Sequence, residues 1–327
     1  MADETSRKTT PRGRYAPSPT GDLHLGNAST ALLAWLSVRS RGGTLVIRME
    51  DLDQPRVRPG AAEQILDDLA WLGLDWDEGP DRGGLHAPYE QGRRRESYEA
   101  AFKKLVEAGR VYPCFCSRRD IAEAASAPQA PGDEARYPGT CRRLDPKEVR
   151  RRIREGRQHA WRFRVDDGDD RAFVDLVRGV RSSDGQSRGD FVVRRADGVP
   201  AYQLAVVVDD AAMGITEVVR GDDLLNSTTR QLLLYEALRL EPPAFGHVPL
   251  LLGPDGVRLS KRHQGTSIRE LREAGSTPEQ VIGRLVHLLG ITRDAAPRAA
   301  TVLLDGFALA SVVHAPDGIV VDTRLWG

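Results

Sequence analysis

Apolar and polar positions divide the first 110 or so residues into alternating elements. "GRYAPS" reads as a short strand. Leu23 to Arg41 reads as an amphipathic helix with an apolar stripe at Leu25, Ala28, Leu32, Trp35 and Leu36, closed by the glycines of "RGG". "TLVIRME" (44–50) is a continuous apolar run of the kind found in parallel strands covered on both faces. Helices follow at about 60–73 and 91–109. Strand, helix, strand in this rhythm predicts a βαβ unit and a parallel α/β sheet.

The stretch 112–160 breaks the rhythm. It holds "CFC", then the Ala/Pro-rich, aperiodic "AEAASAPQAPGDEA", then "RYPGTC" and a very basic run. Alternating strands are expected at about 160–165, 172–181 and 191–195. The α/β pattern returns with "YQLAVVVDDAAMG", "ITEVVRG", a helix over 224–239 and "HVPLLLG". "TSIRELREAG" and "TPEQVIGRLVHLLGI" read as two amphipathic helices, and the last residues as a short closing segment. The pattern predicts one α/β nucleotide-binding domain split by an inserted α+β module. Its first half spans 1–111 and the module 112–185; the second half spans 186–265, and a helical C-terminal region spans 266–327.

Composition changes this picture little. The chain has 327 residues, 40% of them hydrophobic and 29% charged, with a formal net charge of zero. Any nucleic-acid partner must therefore be met by a local basic patch, because no global field attracts it. Lysine occurs only at Lys8, Lys103, Lys104, Lys147 and Lys261, so a lysine inside a motif stands out. The longest apolar stretches are too short to span a bilayer, and the polar N-terminus lacks the apolar core of a signal peptide. With three cysteines that form no disulfide framework, a cytoplasmic protein without a membrane partner is expected, and a monomer.

Candidate chemistry begins with "RYAPSPTGDLHLGN" (14–27), a stiff loop of small residues between the first strand and helix. A helix N-terminus presents unpaired N–H groups and partial positive charge to phosphate. Gly21 and Gly26 let a ligand approach the backbone, and His24 sits where it could donate a hydrogen bond to a phosphoryl oxygen. Alone, the loop is more readily a proline-rich turn with a capping histidine. Near the other end, however, "RLSKR" (258–262) follows a glycine turn. Its Lys261 is a point charge suited to a polyphosphate.

This pair of signatures resembles the HIGH and KMSKS motifs of class I aminoacyl-tRNA synthetases. "RYAPSPTGDLHLGN", "RMEDLDQPR", "VVRGDDLLNSTTRQ" and "RLSKRHQGTS" together resemble the glutamyl branch, in the right order, over residues 12 to 295. Asn27 stands where the branch often has a second histidine, while His24, Gly26 and Lys261 are kept. The resemblance implies a Rossmann-type catalytic domain that activates an amino acid with ATP, accompanied by Mg²⁺. His24 and Lys261 would be catalytic, and Ser18, Gly26, Asn27 and Ser260 would join them around ATP. The amino acid would be L-glutamate, held by Arg14, Ala16, Ser18, Glu50, Tyr202 and Arg220. A guanidinium fork matches a carboxylate, although a strand-end arginine such as Arg220 is also commonly a surface ion pair.

Cys114 and Cys116, with Tyr137 and Cys141 in a Y-x₃-C pattern, supply three thiolates. With a fourth ligand these would close a structural tetrahedral zinc site; closely spaced cysteines are also found as plain buried positions. The glutamyl-Q members of the branch carry this pattern, which implies one structural zinc with Tyr137 as fourth ligand. His86 or a water are alternatives. Only 65 residues follow "RLSKR" (327 − 262 = 65), too few for the anticodon-binding domains of full-length relatives. Resemblance to the glutamyl-Q type implies activation of glutamate without tRNA, then transfer to the queuosine at the wobble position of tRNA(Asp). Alternatives are a truncated enzyme charging tRNA(Glu), an inactive RNA-binding paralogue, and a nucleotidyltransferase acting on a small molecule. Arg150, Arg151, Arg154 and Arg157 in "CRRLDPKEVRRRIREGRQ" could face RNA phosphates. They could equally form a solvated, salt-bridged face with Glu148 and Glu155.

Overall fold

The computed structural model describes residues 10–117, 119–121, 137–166, 169, 171–182, 189–259, 267–322 and 326. Strand β1 (Arg12–Tyr15) leads through the glycine- and proline-rich loop into helix α1 (Leu25–Arg39) and strand β2 (Thr44–Ile47). β1 and β2 pair in parallel, with Arg12 opposite Thr44 and Tyr15 opposite Ile47. On its other edge β1 pairs in parallel with β8 (Glu217–Gly221). β8 pairs in the same sense with β9 (Ala244–Val248), and β9 with β5 (Ala172–Asp175). The antiparallel β6 (Gly179–Ser182) finishes a six-stranded sheet of order β2-β1-β8-β9-β5-β6. From β1 the chain crosses to β2 on one side, and from β8 it crosses to β9 on the other. Beyond the carboxyl ends of β1 and β8 lies a topological switch point, where open α/β sheets form their ligand crevice.

The expected amphipathic α1 is in fact buried almost all round. Its stripe of Leu25, Ala28, Leu32, Trp35 and Leu36 joins Leu45, Ile47 and Ile65 in one core, together with Ile268, Leu271, Ile282 and Leu285 from the C-terminal helices. Leu33 and Ala34 enter a second cluster with Val219, Val248 and Leu309. The two buried serines are satisfied: Ser29 donates to the Gly26 carbonyl (2.9 Å) and Ser37 to Glu217 (2.6 Å). The C-terminal helices α7 (Ile268–Glu273) and α8 (Pro278–Leu288) begin with capping boxes, Ser267 with Glu270 and Thr277 with Gln280. Each box satisfies backbone donors that the first turn leaves open.

On the opposite face of the sheet, α3 (Arg95–Glu107), α5 (Tyr202–Ala212) and α6 (Leu225–Leu238) pack with Val218 and Phe245. Between α1 and α3 lies α2 (Ala61–Trp71), which contributes Ile65 and Leu69 to the first core. A separate antiparallel sheet of order β3-β4-β7 is made by β3 (Val111–Cys114), β4 (Ala160–Phe163) and β7 (Phe191–Arg194). The basic segment adds helix α4 (Pro146–Arg154), capped by Asp145. The two sheets thus exchange strands across the division expected at residue 185. The hairpin β5–β6 extends the main sheet and β7 belongs to the small one. Most of the Ala/Pro-rich stretch, residues 122–136, lies outside the described residues. Among the described residues, no helix is long and apolar enough to cross a membrane.

Candidate active site

The opening loop lies along the carboxyl ends of the central strands. The Glu50 N–H donates to the Pro17 carbonyl (2.9 Å) and the Arg58 N–H to that of Pro19 (3.0 Å), so residues 16–19 are laced to the segment after β2. Gly21 has φ near 149°, a value that disfavours any side chain. His24 is the N-cap of α1. Its Nδ1 accepts from the Asn27 N–H at 3.3 Å, which puts the ring proton on Nε2. A Cβ at Gly26 would stand 3.3 Å from Nδ1 and Cε1 of His24, so glycine keeps this ring in place. Ala16 is half-buried and Ser18 exposed, with its carbonyl accepting from the Thr20 N–H.

The distant second motif reaches the same place. Ser267 forms a backbone bridge with His24, and the Ile268 N–H donates to the Leu23 carbonyl at 2.8 Å. At the other end of that motif Leu259 donates to the Leu251 carbonyl (3.0 Å), and Arg258 pairs with Asp223 just beyond β8. Leu251 in turn lies 3.9 Å from a Cβ built on Gly26. Both flanks of the lysine loop are therefore fixed against the entrance of α1. Ser260 and Lys261 themselves lie outside the described residues.

Beneath the loop is a buried charge network. Arg14, from β1, reaches Asp210 of α5 at 3.4 Å. Arg48 bonds Asp210 at 2.6 Å and Glu50 at 3.3 Å. Arg94, Gln91 and Tyr98 all bond Asp209, at 2.6, 2.7 and 2.9 Å. Burial opposes ionisation of Asp210, but Arg48 and Arg14 hold its carboxyl below the usual range. Burial pushes Glu50 upward against the pull of the same two arginines. The charges of Arg220, Glu50, Arg14 and Asp210 all act on Tyr202, at the start of α5, so these residues lie near one another.

Arg220, at the carboxyl end of β8, is 3% exposed and, unlike Arg14, Arg48 and Arg94, has no carboxylate in direct contact among the described residues. Its donors go to His247 Nε2 (2.9 Å), Gln231 Oε1 (2.8 Å), Thr228 Oγ1 (2.8 Å) and, more weakly, the Leu224 carbonyl (3.4 Å). Every one of these acceptors is formally neutral. An arginine buried in this way is costly without an anion, which makes it a site for one. The surface ion pair considered for Arg220 from sequence is therefore absent among the described residues. Asp175, Asp209, Asp210, Thr228, Gln231 and His247 are the residues that sequence reasoning missed. The paired acid of "LAVVVDD", on an otherwise apolar helix, and the place of Thr228 and Gln231 within "VVRGDDLLNSTTRQ" were local signals; Asp175 and His247 had none.

The cysteines converge as well. The Sγ atoms of Cys114, Cys116 and Cys141 all lie within 4.8 Å of one another. Cys116 and Cys141 are 3.5 Å apart, and the Tyr137 hydroxyl is 3.9 Å from Cys116. Tetrahedral Zn–S bonds of about 2.3 Å require sulfurs roughly 3.8 Å apart, so the donor set fits a metal. The hydrogen bond between Cys141 and Cys114 lowers the first thiol to about 6 and raises the second to about 12. The Tyr137 hydroxyl also accepts from the Cys141 N–H at 2.6 Å. His86 is not part of the cluster; its N–H donates to Tyr89 and its carbonyl accepts from Arg94. On α4, Arg151 pairs with Glu148 and Glu155, and Arg152 with Glu148, while Arg157 faces the Phe115 ring. Arg150 and Arg154 make no ion pair among the described residues.

Residues 11–302 match the family described as "tRNA synthetases class I (E and Q), catalytic domain". The chain belongs to this family, and it is a ligase of the aminoacyl-tRNA synthetase type. Within that class it is similar to the glutamyl-Q tRNA(Asp) synthetase of Symbiobacterium thermophilum, 53% identical over 95% of this chain and 96% of that one. The protein of the same description from Nitratidesulfovibrio vulgaris is 54% identical, over 88% and 89%. Glutamate–tRNA ligase 2 of Syntrophus aciditrophicus is 47% identical over 86% of this chain but 58% of its own length. Among solved structures, a glutamate tRNA ligase from Elizabethkingia meningosepticum, in complex with its amino acid, superposes with a TM-score of 0.82. It is 31% identical, and the match covers 96% of this chain and 68% of that one.

Proposed function

We propose that the protein activates L-glutamate with ATP in the absence of tRNA. It then transfers the glutamyl group to the queuosine at the wobble position of tRNA(Asp). The observation that carries the first half is Arg220, a buried cation with only neutral hydrogen-bond partners among the described residues, near Arg14 and Glu50. Glutamate brings two carboxylates and an ammonium; Arg14 and Arg220 match the former and Glu50 the latter, with Tyr202, Ala16 and Ser18 lining the pocket. The second half is supported by identity of 53–54% to two glutamyl-Q relatives over nearly their whole length.

In the first step the α-carboxylate oxygen of glutamate attacks the α-phosphorus of ATP. A P–O bond forms, the bond to the bridging oxygen breaks, and pyrophosphate leaves. The nucleophile is ionised at neutral pH, so no general base is needed. What the reaction requires is alignment and neutralisation of phosphoryl charge. His24, with its proton on Nε2, and Lys261 fit that task, with Gly26, Asn27, Ser18 and Ser260 around the nucleotide. The Mg²⁺ that accompanies ATP would share the phosphate charge. Cys114, Cys116, Cys141 and Tyr137 would hold a structural zinc that pins the 112–116 and 137–144 segments together, away from the chemistry.

The test is transfer of labelled glutamate to tRNA(Asp) with and without queuosine and, in parallel, to tRNA(Glu), followed by digestion to locate the labelled nucleotide. Label on queuosine alone is expected. Label on the 3′-terminal adenosine of tRNA(Glu) would instead make the chain an ordinary glutamyl-tRNA synthetase.

A further inference from the structure

Three buried side chains form a relay that ends on Arg220. Asp175 ends β5, His247 lies in β9 and Arg220 in the strand between β1 and β9. His247 and Asp175 are 0% and 2% exposed. The Asp175 Oδ2 is 2.6 Å from Nδ1 of His247. Its Oδ1 accepts from the N–H groups of Arg178 (2.8 Å), Val177 (2.9 Å) and His247 (3.2 Å). A carboxylate so supplied with donors stays ionised, and against burial its pKa is held low by His247 and these amides.

The direction of each bond then follows. An ionised carboxylate only accepts, so Nδ1 of His247 carries a proton. The Arg220 Nε–H only donates, and it points at Nε2 of His247 from 2.9 Å. Nε2 must therefore be bare, and the ring is the neutral Nδ1–H tautomer. Thr228 Oγ1, 3.2 Å away, adds a hydroxyl donor to the same nitrogen. Burial and the Arg220 charge push the imidazole below its ordinary pKa, against Asp175 and Asp222.

We propose that Asp175 and His247 are positioning residues that determine specificity by holding Arg220 as an oriented, unneutralised guanidinium for the side-chain carboxylate of the amino acid. The logic is spacing. A carboxylate directly on Arg220 would cancel its charge and occupy its donors. Placed one imidazole away, Asp175 fixes the plane of the guanidinium through a neutral acceptor. Gln231 and Thr228, one turn apart on α6, fix the other two nitrogens. Of the five N–H donors, one on Nη1 has no partner among the described residues, and one on Nη2 has only the long bond to Leu224. These are the donors left for a ligand, and an uncharged amide would leave the buried charge unpaired. The inference rests on the proposed glutamate site.

The first test reads the wild-type protein: ¹⁵N NMR of labelled histidine should show His247 neutral with its proton on Nδ1. A proton on Nε2 overturns the relay. Asp175→Asn gives the second test, because its amide can donate to Nδ1, shift the proton to Nε2 and set two donors face to face at Arg220. In tRNA-free pyrophosphate exchange the expected result is a KM for glutamate at least ten-fold higher. The KM for ATP should stay within two-fold, and preference for glutamate over glutamine should fall. His247→Gln keeps an acceptor for Arg220 and should recover most of the glutamate KM, whereas His247→Leu should not. Unchanged glutamate KM and selectivity in Asp175→Asn, or equal damage to glutamate and ATP KM in every variant, refutes the relay. Absence of glutamate-dependent exchange in the wild type instead refutes the glutamate site, while the tautomer is read independently.

Discussion

Arg14, Arg48, Arg94 and Arg220 are four buried arginines with different surroundings. Arg48 and Arg94 are matched by Asp209, Asp210 and Glu50, and Arg14 shares Asp210 at a longer 3.4 Å. Arg220 has no carboxylate partner in direct contact among the described residues. Arg220→Gln should therefore raise the glutamate KM by about 10²-fold or more, since a buried charge-assisted contact is lost. Steady-state exchange kinetics check this. Removing the Lys261 ammonium should lower exchange by about 10²–10³, equivalent to about 2.7–4 kcal/mol, with the fold intact by circular dichroism. Near-normal exchange in Lys261→Ala would take that residue out of the mechanism. The motifs made His24, Glu50, Arg14 and Arg220 visible because each sits in a distinctive local word. Asp175 and His247 had no such word: the bond between them spans 72 residues, and only the sheet order brings β5 beside β9.

At the scale of elements, the packing of α2 against the C-terminal helices carries a pH signature. Asp68 on α2 is fully buried; Gln64 donates to one of its oxygens at 2.9 Å, and the other has no partner among the described residues. Burial, only partly offset by Gln64 and Arg269, pushes its pKa up to about 6. In the unfolded chain it titrates near 3.9, so between about 4 and 6 the folded state holds the extra proton. Stability from this group therefore falls as pH rises through that window and is level above it. Asp68→Asn should raise the melting temperature at about pH 8 and leave it unchanged near pH 3.5, where both states are protonated. In the turn that packs against the end of β3, Cys141→Ala should reduce bound zinc from about one per chain to near zero. Metal analysis of purified protein reads this directly. Period and composition made these elements legible, including the α1 helix and its apolar stripe. They could not show that α7 and α8 pack on that stripe, nor that Leu33 and Ala34 on the other side of α1 meet Val219 and Val248, because an apolar stripe reports only one face. Nor could alternation in 172–181 reveal which sheet the β5–β6 hairpin joins, since register and neighbours are set by β9.

Across the whole molecule, two motifs more than 230 residues apart are joined by the backbone bridge between His24 and Ser267. The crevice above β1 and β8 is shared by the loop after β1, the end of β8 and both flanks of the lysine loop. The basic helix α4 carries Arg150 and Arg154, which make no ion pair among the described residues. Charge reversal of both should weaken glutamate transfer to tRNA and leave tRNA-free exchange as it was; loss of both activities together would point to damage to the fold. The central claim is that the crevice is a tRNA-independent site for ATP and an anionic amino acid. ATP–pyrophosphate exchange without any tRNA, run in parallel with glutamate and glutamine, tests it most directly. The account predicts robust exchange with glutamate and at least about 10²-fold less with glutamine. Comparable exchange with glutamine, or none with glutamate until tRNA is added, would contradict it.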